Sequence, residues 1–131
     1  MSAPVLSVRQ CRNGTTDEQI GRYCWVWCPG CRQLHAFIVS NADGSPAPRV
    51  QWDWDGNLNQ PTFSPSLLCT DATFYGPADD NGDPGPLIGT GVCHSFVRAG
   101  RWEFLSDSGH HLAGQTVDMA PLPDWFTQEE S

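Results

Sequence analysis

Trp27-Cys28-Pro29-Gly30-Cys31, followed four residues later by His35, is the stretch that decides the fold. Pro29 and Gly30 between two thiols make a tight turn that can aim both sulfurs at one point. A metal ion needs that geometry, and Zn2+ favours thiolate and imidazole ligands in a tetrahedron. The flanking residues are strand-like. Tyr23 to Cys28 is rich in aromatic and β-branched side chains, and Leu34 to Val39 carries the chain away as a second strand. Together they predict a hairpin with the Cys pair at its tip, as in a zinc ribbon. Such a half-site needs a second half, and Cys93-His94 and His110 are the candidates.

Working outward, the sequence predicts a small single domain, residues 1–131, of short antiparallel strands: a mainly β protein. Its 131 residues allow one modest core. The apolar fraction of 39% is low, and six Trp and six Phe offset it by burying large areas. Thirteen Gly and eleven Pro punctuate the chain with turns. Strands are predicted at Val5–Arg9, Val50–Trp54, Ser66–Thr70, Gly91–Val97, Trp102–Leu105 and Gln115–Met119, with one helical turn over Thr16–Ile20. Pro61 and Pro65 exclude a helix and a central strand over Pro61–Ser66. Residues 72–91, with an acidic cluster at 79–83, are expected to be a flexible loop, and residues 120–131 a tail.

Charge narrows the function classes. The net charge is −8 and there is no Lys, so a phosphate-tracking nucleic-acid surface is not expected. No apolar run is long enough to span a bilayer, and the N-terminus has no signal-peptide pattern. Those features point to a cytoplasmic protein whose thiols stay reduced.

The candidate ligands compete. A redox reading of Cys28 and Cys31 requires a helix after the pair to lower a thiol pKa, but Phe37-Ile38-Val39 is strand-like. On a regular strand Cys93 and His94 face opposite sides. Unless Gly89 and Gly91 break the strand, only one of them is a ligand. Cys93 is the choice, leaving His94 as a packed or functional imidazole on the other face. His110 and His35 are further candidates, while Cys11, Cys24 and Cys69 read as core thiols. Thr62, Ser64 and Ser66 could imitate a nucleophile beside a His, but hydroxyls are common in Pro-rich turns and are read as such here. The nucleoside-deaminase, His-Glu-x-x-His and Gly-x-Ser-x-Gly patterns are absent.

Five segments in order carry a resemblance: Cys28-Pro-Gly-Cys31 with His35, Trp52-Asp-Trp-Asp-Gly56, Pro61-Thr-Phe-Ser-Pro-Ser66, Cys93-His-Ser-Phe-Val-Arg98, and Phe104 to Val117. They resemble a family of small tailed-phage and prophage proteins of unknown function, often labelled ammonia monooxygenase. That enzyme is a membrane-embedded copper protein, and the absence of a membrane segment disqualifies the label. The resemblance implies phage origin and bound zinc, and places Cys28, Cys31, His35, Cys93, His94 and His110 on motif positions.

The resulting expectation is a phage- or prophage-encoded protein with a structural Zn2+ held by Cys28, Cys31, Cys93 and His110. It would act by binding a protein partner in virion assembly or host modulation. Two alternatives stand beside it. One is a zinc-dependent hydrolase in which three protein ligands and a water hold the ion, His35 or His94 is the general base, and Asp107 orients an imidazole. The other is a head or tail accessory component of the virion.

Overall fold

The computed structural model describes residues 4–12, 15, 19–41, 43, 45, 51–77, 85–123 and 126. Among the described residues, eight strands form two antiparallel sheets. The first sheet has the order β1-β2-β3, with β1 Ser7–Arg12, β2 Gln19–Cys28 and β3 Gln33–Val39. The second has the order β4-β5-β6-β7-β8, with β4 Asp53–Trp54, β5 Phe63–Tyr75, β6 Leu87–Arg98, β7 Arg101–Phe104 and β8 Thr116–Asp118. The mainly β class follows from the sequence, since no described segment has helical periodicity. No helix among the described residues is long and apolar enough to cross a membrane.

Alternation builds the core. Cys24, Val26 and Cys28 of β2 and His35, Phe37 and Val39 of β3 are buried, while their neighbours are only partly so. Cys93, Ser95 and Val97 of β6, with Trp102 and Phe104 of β7, supply the opposing face. Phe37 stacks on Phe63 at 4.1 Å between ring centres and meets Trp52 edge-on at 5.4 Å, joining the sheets. Phe126 is also buried; its ring lies 5.9 Å from that of Trp25 and beneath the Arg9 guanidinium.

Three sequence expectations need adjustment. The segment predicted as a loop from 72 to 91 is strand at both ends, because β5 runs to Tyr75 and β6 starts at Leu87; its acidic cluster lies outside the described residues. The predicted helical turn lies partly outside them, and its last two residues, Gln19 and Ile20, open β2. The prolines do not keep Phe63–Ser66 out of a strand with neighbours on both sides. Instead the ladder to β6 skips between Phe63 and Leu67, so Pro65 falls where no backbone donor is required.

The hairpin from β6 to β7 closes through Ala99 (φ 50°) and Gly100 (φ 78°), the two left-handed residues that a type I′ turn requires. Phe37→Ala is expected to cost about 3–5 kcal/mol, measured by urea denaturation, because it removes the ring that both Phe63 and Trp52 pack against.

Candidate active site and metal centre

The knuckle forms where β2 ends. The N–H of Arg32 donates to the carbonyl of Cys28 at 2.8 Å, Arg32 takes a left-handed φ of 57°, and the N–H of Cys31 points at Cys28 Sγ at 3.3 Å. The turn is tied to β5, since Tyr75 N–H donates to the carbonyl of Cys31 at 3.0 Å and the Arg32 guanidinium to the carbonyl of Tyr75 at 3.0 Å. Gly30 is required for packing: a Cβ there would overlap the ring of His110.

Four ligand atoms converge. Those of Cys28, Cys31, Cys93 and His110 all lie within 4.8 Å of one another, and all four residues are buried. Cys28 Sγ is 4.0 Å from Cys93 Sγ, and Cys93 Sγ is 3.5 Å from His110 Nε2. A tetrahedron with ordinary Zn–S and Zn–N lengths requires roughly 3.8 Å and roughly 3.6 Å for these edges. The group is therefore close enough to bind a metal ion.

Electrostatics agree. Burial by itself raises the Cys28 thiol, but hydrogen bonds from Cys31 and Cys93 and the nearness of His35 outweigh it and hold Cys28 well below the ordinary thiol range. Cys31 and Cys93 are pushed up, chiefly because each shares its hydrogen bond with Cys28. Three thiols in contact cannot all ionise without a cation between them. Burial lowers His110, which keeps its imidazole neutral and fit for coordination.

The other two candidate imidazoles do not join that group. His35 sits behind the centre: its ring edge faces Trp102 at 6.3 Å, its buried Nε2 has no hydrogen-bond partner, and its nearness helps to hold the Cys28 thiol down. Outer-sphere contacts of this kind tune a ligand without touching the ion. His94 points away through the sheet. Its Nε2 is 3.2 Å from Ser66 Oγ, and its Nδ1 is 3.1 Å from Asp107 Oδ2.

Strand alternation places His94, and local irregularities place Ser66 and Asp107. His94 follows Cys93 on β6 and so faces outward. Ser66 lies in the skipped stretch of the β5 ladder, where a bulge re-aims side chains, and the Trp52 indole donates to its carbonyl at 3.3 Å. Asp107 lies in the turn after β7, held where Ser108 N–H donates to the carbonyl of Leu105 at 3.1 Å and Gly109 N–H to that of Val92 at 2.7 Å. The His94 side chain is 24% exposed and that of Asp107 58%, so the line opens to solvent. Asp107 accepts from Nδ1–H, which fixes the tautomer and leaves Nε2 free to accept the Ser66 hydroxyl proton.

Ser66 is the residue that sequence reasoning passed over as a turn hydroxyl. No short motif marks it, and its partners lie 28 residues away at His94 and, beyond that, at Asp107. The available signal was indirect: one imidazole too many for a closed metal site, next to a ligand on a strand.

The chain matches, over residues 6–105, the family described as bacterial ubiquitination-like system serine protease (BubE). It belongs to the BubE family. No curated protein and no solved structure matches it. Membership corrects the expectation of a phage-encoded structural zinc protein, and the virion-component alternative with it, because the family's description names a serine protease of a bacterial ubiquitination-like system. The resemblance to phage proteins was carried by the metal-site residues and strand motifs, which specify a scaffold and not a source.

Gly30→Ala is expected to reduce bound metal from near one ion per chain to a small fraction, measured by elemental analysis of purified protein. The added methyl takes the space of the His110 ring while leaving all four ligands present.

Proposed function

We propose that this protein is a serine peptidase of a bacterial ubiquitination-like system. Ser66 is the nucleophile, His94 the general base and then acid, and Asp107 the group that orients His94. Cys28, Cys31, Cys93 and His110 would hold a Zn2+ ion that braces them. The carrying observation is the unbroken Ser66–His94–Asp107 line, with separations of 3.2 and 3.1 Å, on a solvent-open face.

The chemistry follows from those contacts. Ser66 Oγ attacks the carbonyl carbon of the scissile peptide bond as His94 Nε2 takes its proton. Asp107 holds the ring and stabilises the imidazolium that forms. His94 then gives that proton to the departing amine, leaving an acyl group on Ser66. A water molecule, deprotonated by the same nitrogen, releases the acyl group as a carboxylic acid and restores the hydroxyl. Along the chain the order is Ser, His, Asp. It differs from the orders of α/β-hydrolases, chymotrypsin and subtilisin, as expected when geometry and not sequence position defines the triad.

The donor set of three sulfurs and one nitrogen suits zinc. Four protein ligands leave no position for a water, so the ion supplies a cross-link and the hydrolytic chemistry falls to the triad. Cys93 adjoins His94, and His110 lies three residues beyond Asp107, so the same cross-link would hold both the strand that carries His94 and the turn that carries Asp107.

A fluorophosphonate probe is expected to modify the protein at Ser66, located by peptide mass spectrometry. Ser66→Ala should abolish labelling, and Asp107→Ala should slow it by on the order of 10³–10⁴-fold. Labelling that persists in Ser66→Ala would remove the assignment. Stripping the metal with a chelator is expected to lower Tm by on the order of 10 °C and to slow labelling in parallel, because the ion's contribution is to folding.

A further inference from the structure

We propose that Ser108 is a positioning residue for the catalytic base, linking the turn that carries Asp107 and His110 to the backbone of His94. The proposal rests on the triad reading. Its test separates the two.

The observation is a pair of hydrogen bonds through one hydroxyl. The N–H of His94 donates to Ser108 Oγ at 3.0 Å, and Ser108 Oγ–H donates to the carbonyl of His94 at 3.0 Å. A hydroxyl can do both at once, as one donor with two acceptor lone pairs. The need for it comes from the sheet. The β6–β7 ladder ends at the pair Ser95–Phe104. The N–H of Leu105 still reaches the carbonyl of His94 at 2.9 Å, but the chain then turns away and offers His94 no backbone acceptor. Ser108, only 7% exposed, takes that place. Its side chain acts on His94 as the next residue of a strand would.

The location gives this contact its consequence. Ser108 lies between Asp107, which holds the His94 ring, and His110, which closes the metal group. The Asp107–His110 turn thus grips His94 twice: at the ring through Asp107 and at the backbone through Ser108. With the backbone of His94 fixed, Nε2 can face Ser66 while Nδ1 stays on Asp107. Without the hydroxyl, a part-buried N–H is left unpaired, and local rearrangement of His94 is the cheapest way to reach water.

The test uses the metal-loaded full chain and the rate at which a saturating fluorophosphonate modifies Ser66. Ser108→Ala is expected to slow modification about tenfold, the loss appropriate to one buried hydrogen-bonded group, with metal content unchanged. In an Asp107→Ala background, where the ring is already unheld, the same substitution should slow it less than twofold, because residues acting on one group are not additive. The His94 ring N–H resonance, assigned by its loss in Asp107→Ala, should shift or broaden in Ser108→Ala. The proposal is overturned if Ser108→Ala reacts at the wild-type rate, if the two substitutions act additively, or if the rate falls only in proportion to lost metal. Wild-type protein that is never modified at Ser66 would instead refute the triad assignment, independently of Ser108.

Discussion

Adjacent residues on a β-strand face opposite sides of the sheet, and at Cys93-His94 that rule places two kinds of chemistry back to back. Cys93 turns into the core, where its sulfur lies 4.0 Å from Cys28 Sγ and 3.5 Å from His110 Nε2. His94 turns outward to stand between Ser66 and Asp107. Because the two residues share a peptide bond, whatever fixes the Cys93 sulfur also fixes the backbone from which the imidazole projects. The buried centre and the open triad are therefore two faces of one strand.

The loop after β7 repeats the arrangement. Within four residues it supplies Asp107 to the outer face and His110 to the inner one, with Ser108 clasping the backbone of His94 between them. A domain of 131 residues has a modest hydrophobic core, and loops leaving such a core are the first parts to open. A metal ion bound by this group would join the β2–β3 turn, β6 and this loop, holding Ser66, His94 and Asp107 in register where apolar packing alone is thin. Gly30 belongs to the same logic, since the ring of His110 occupies the space its missing side chain leaves.

Much of the scaffold was legible from the chain. The Cys28-Pro-Gly-Cys31 turn between two strand-like segments announced a hairpin with thiols at its tip, and β2 and β3 form that hairpin. The strands predicted at Gly91–Val97 and Trp102–Leu105 are found in β6 and β7, which pair as a second hairpin. The strand content of residues 72–75 and 87–91 was masked by neighbouring Gly and Pro, because turn residues dominate local propensity while cross-strand pairing decides the outcome. The pairing across Phe63–Leu67 was hidden for a different reason. Proline reads as a barrier to a strand, yet a skipped ladder position accommodates it, and only the partner strand reveals that a position is skipped.

Sequence by itself determined the β class, the knuckle, and the expectation that Cys93 and His94 part company on an unbroken strand, because turn chemistry and strand periodicity are local properties. Tertiary structure alone brought His94 between Ser66 and Asp107. Ser66, His94 and Asp107 occupy three separate stretches of chain, and a nucleophile is defined by the groups its oxygen touches, not by its neighbours in sequence. The same holds for Ser108, whose hydroxyl gains its purpose from the end of a ladder that no reading of residues 106–110 could locate.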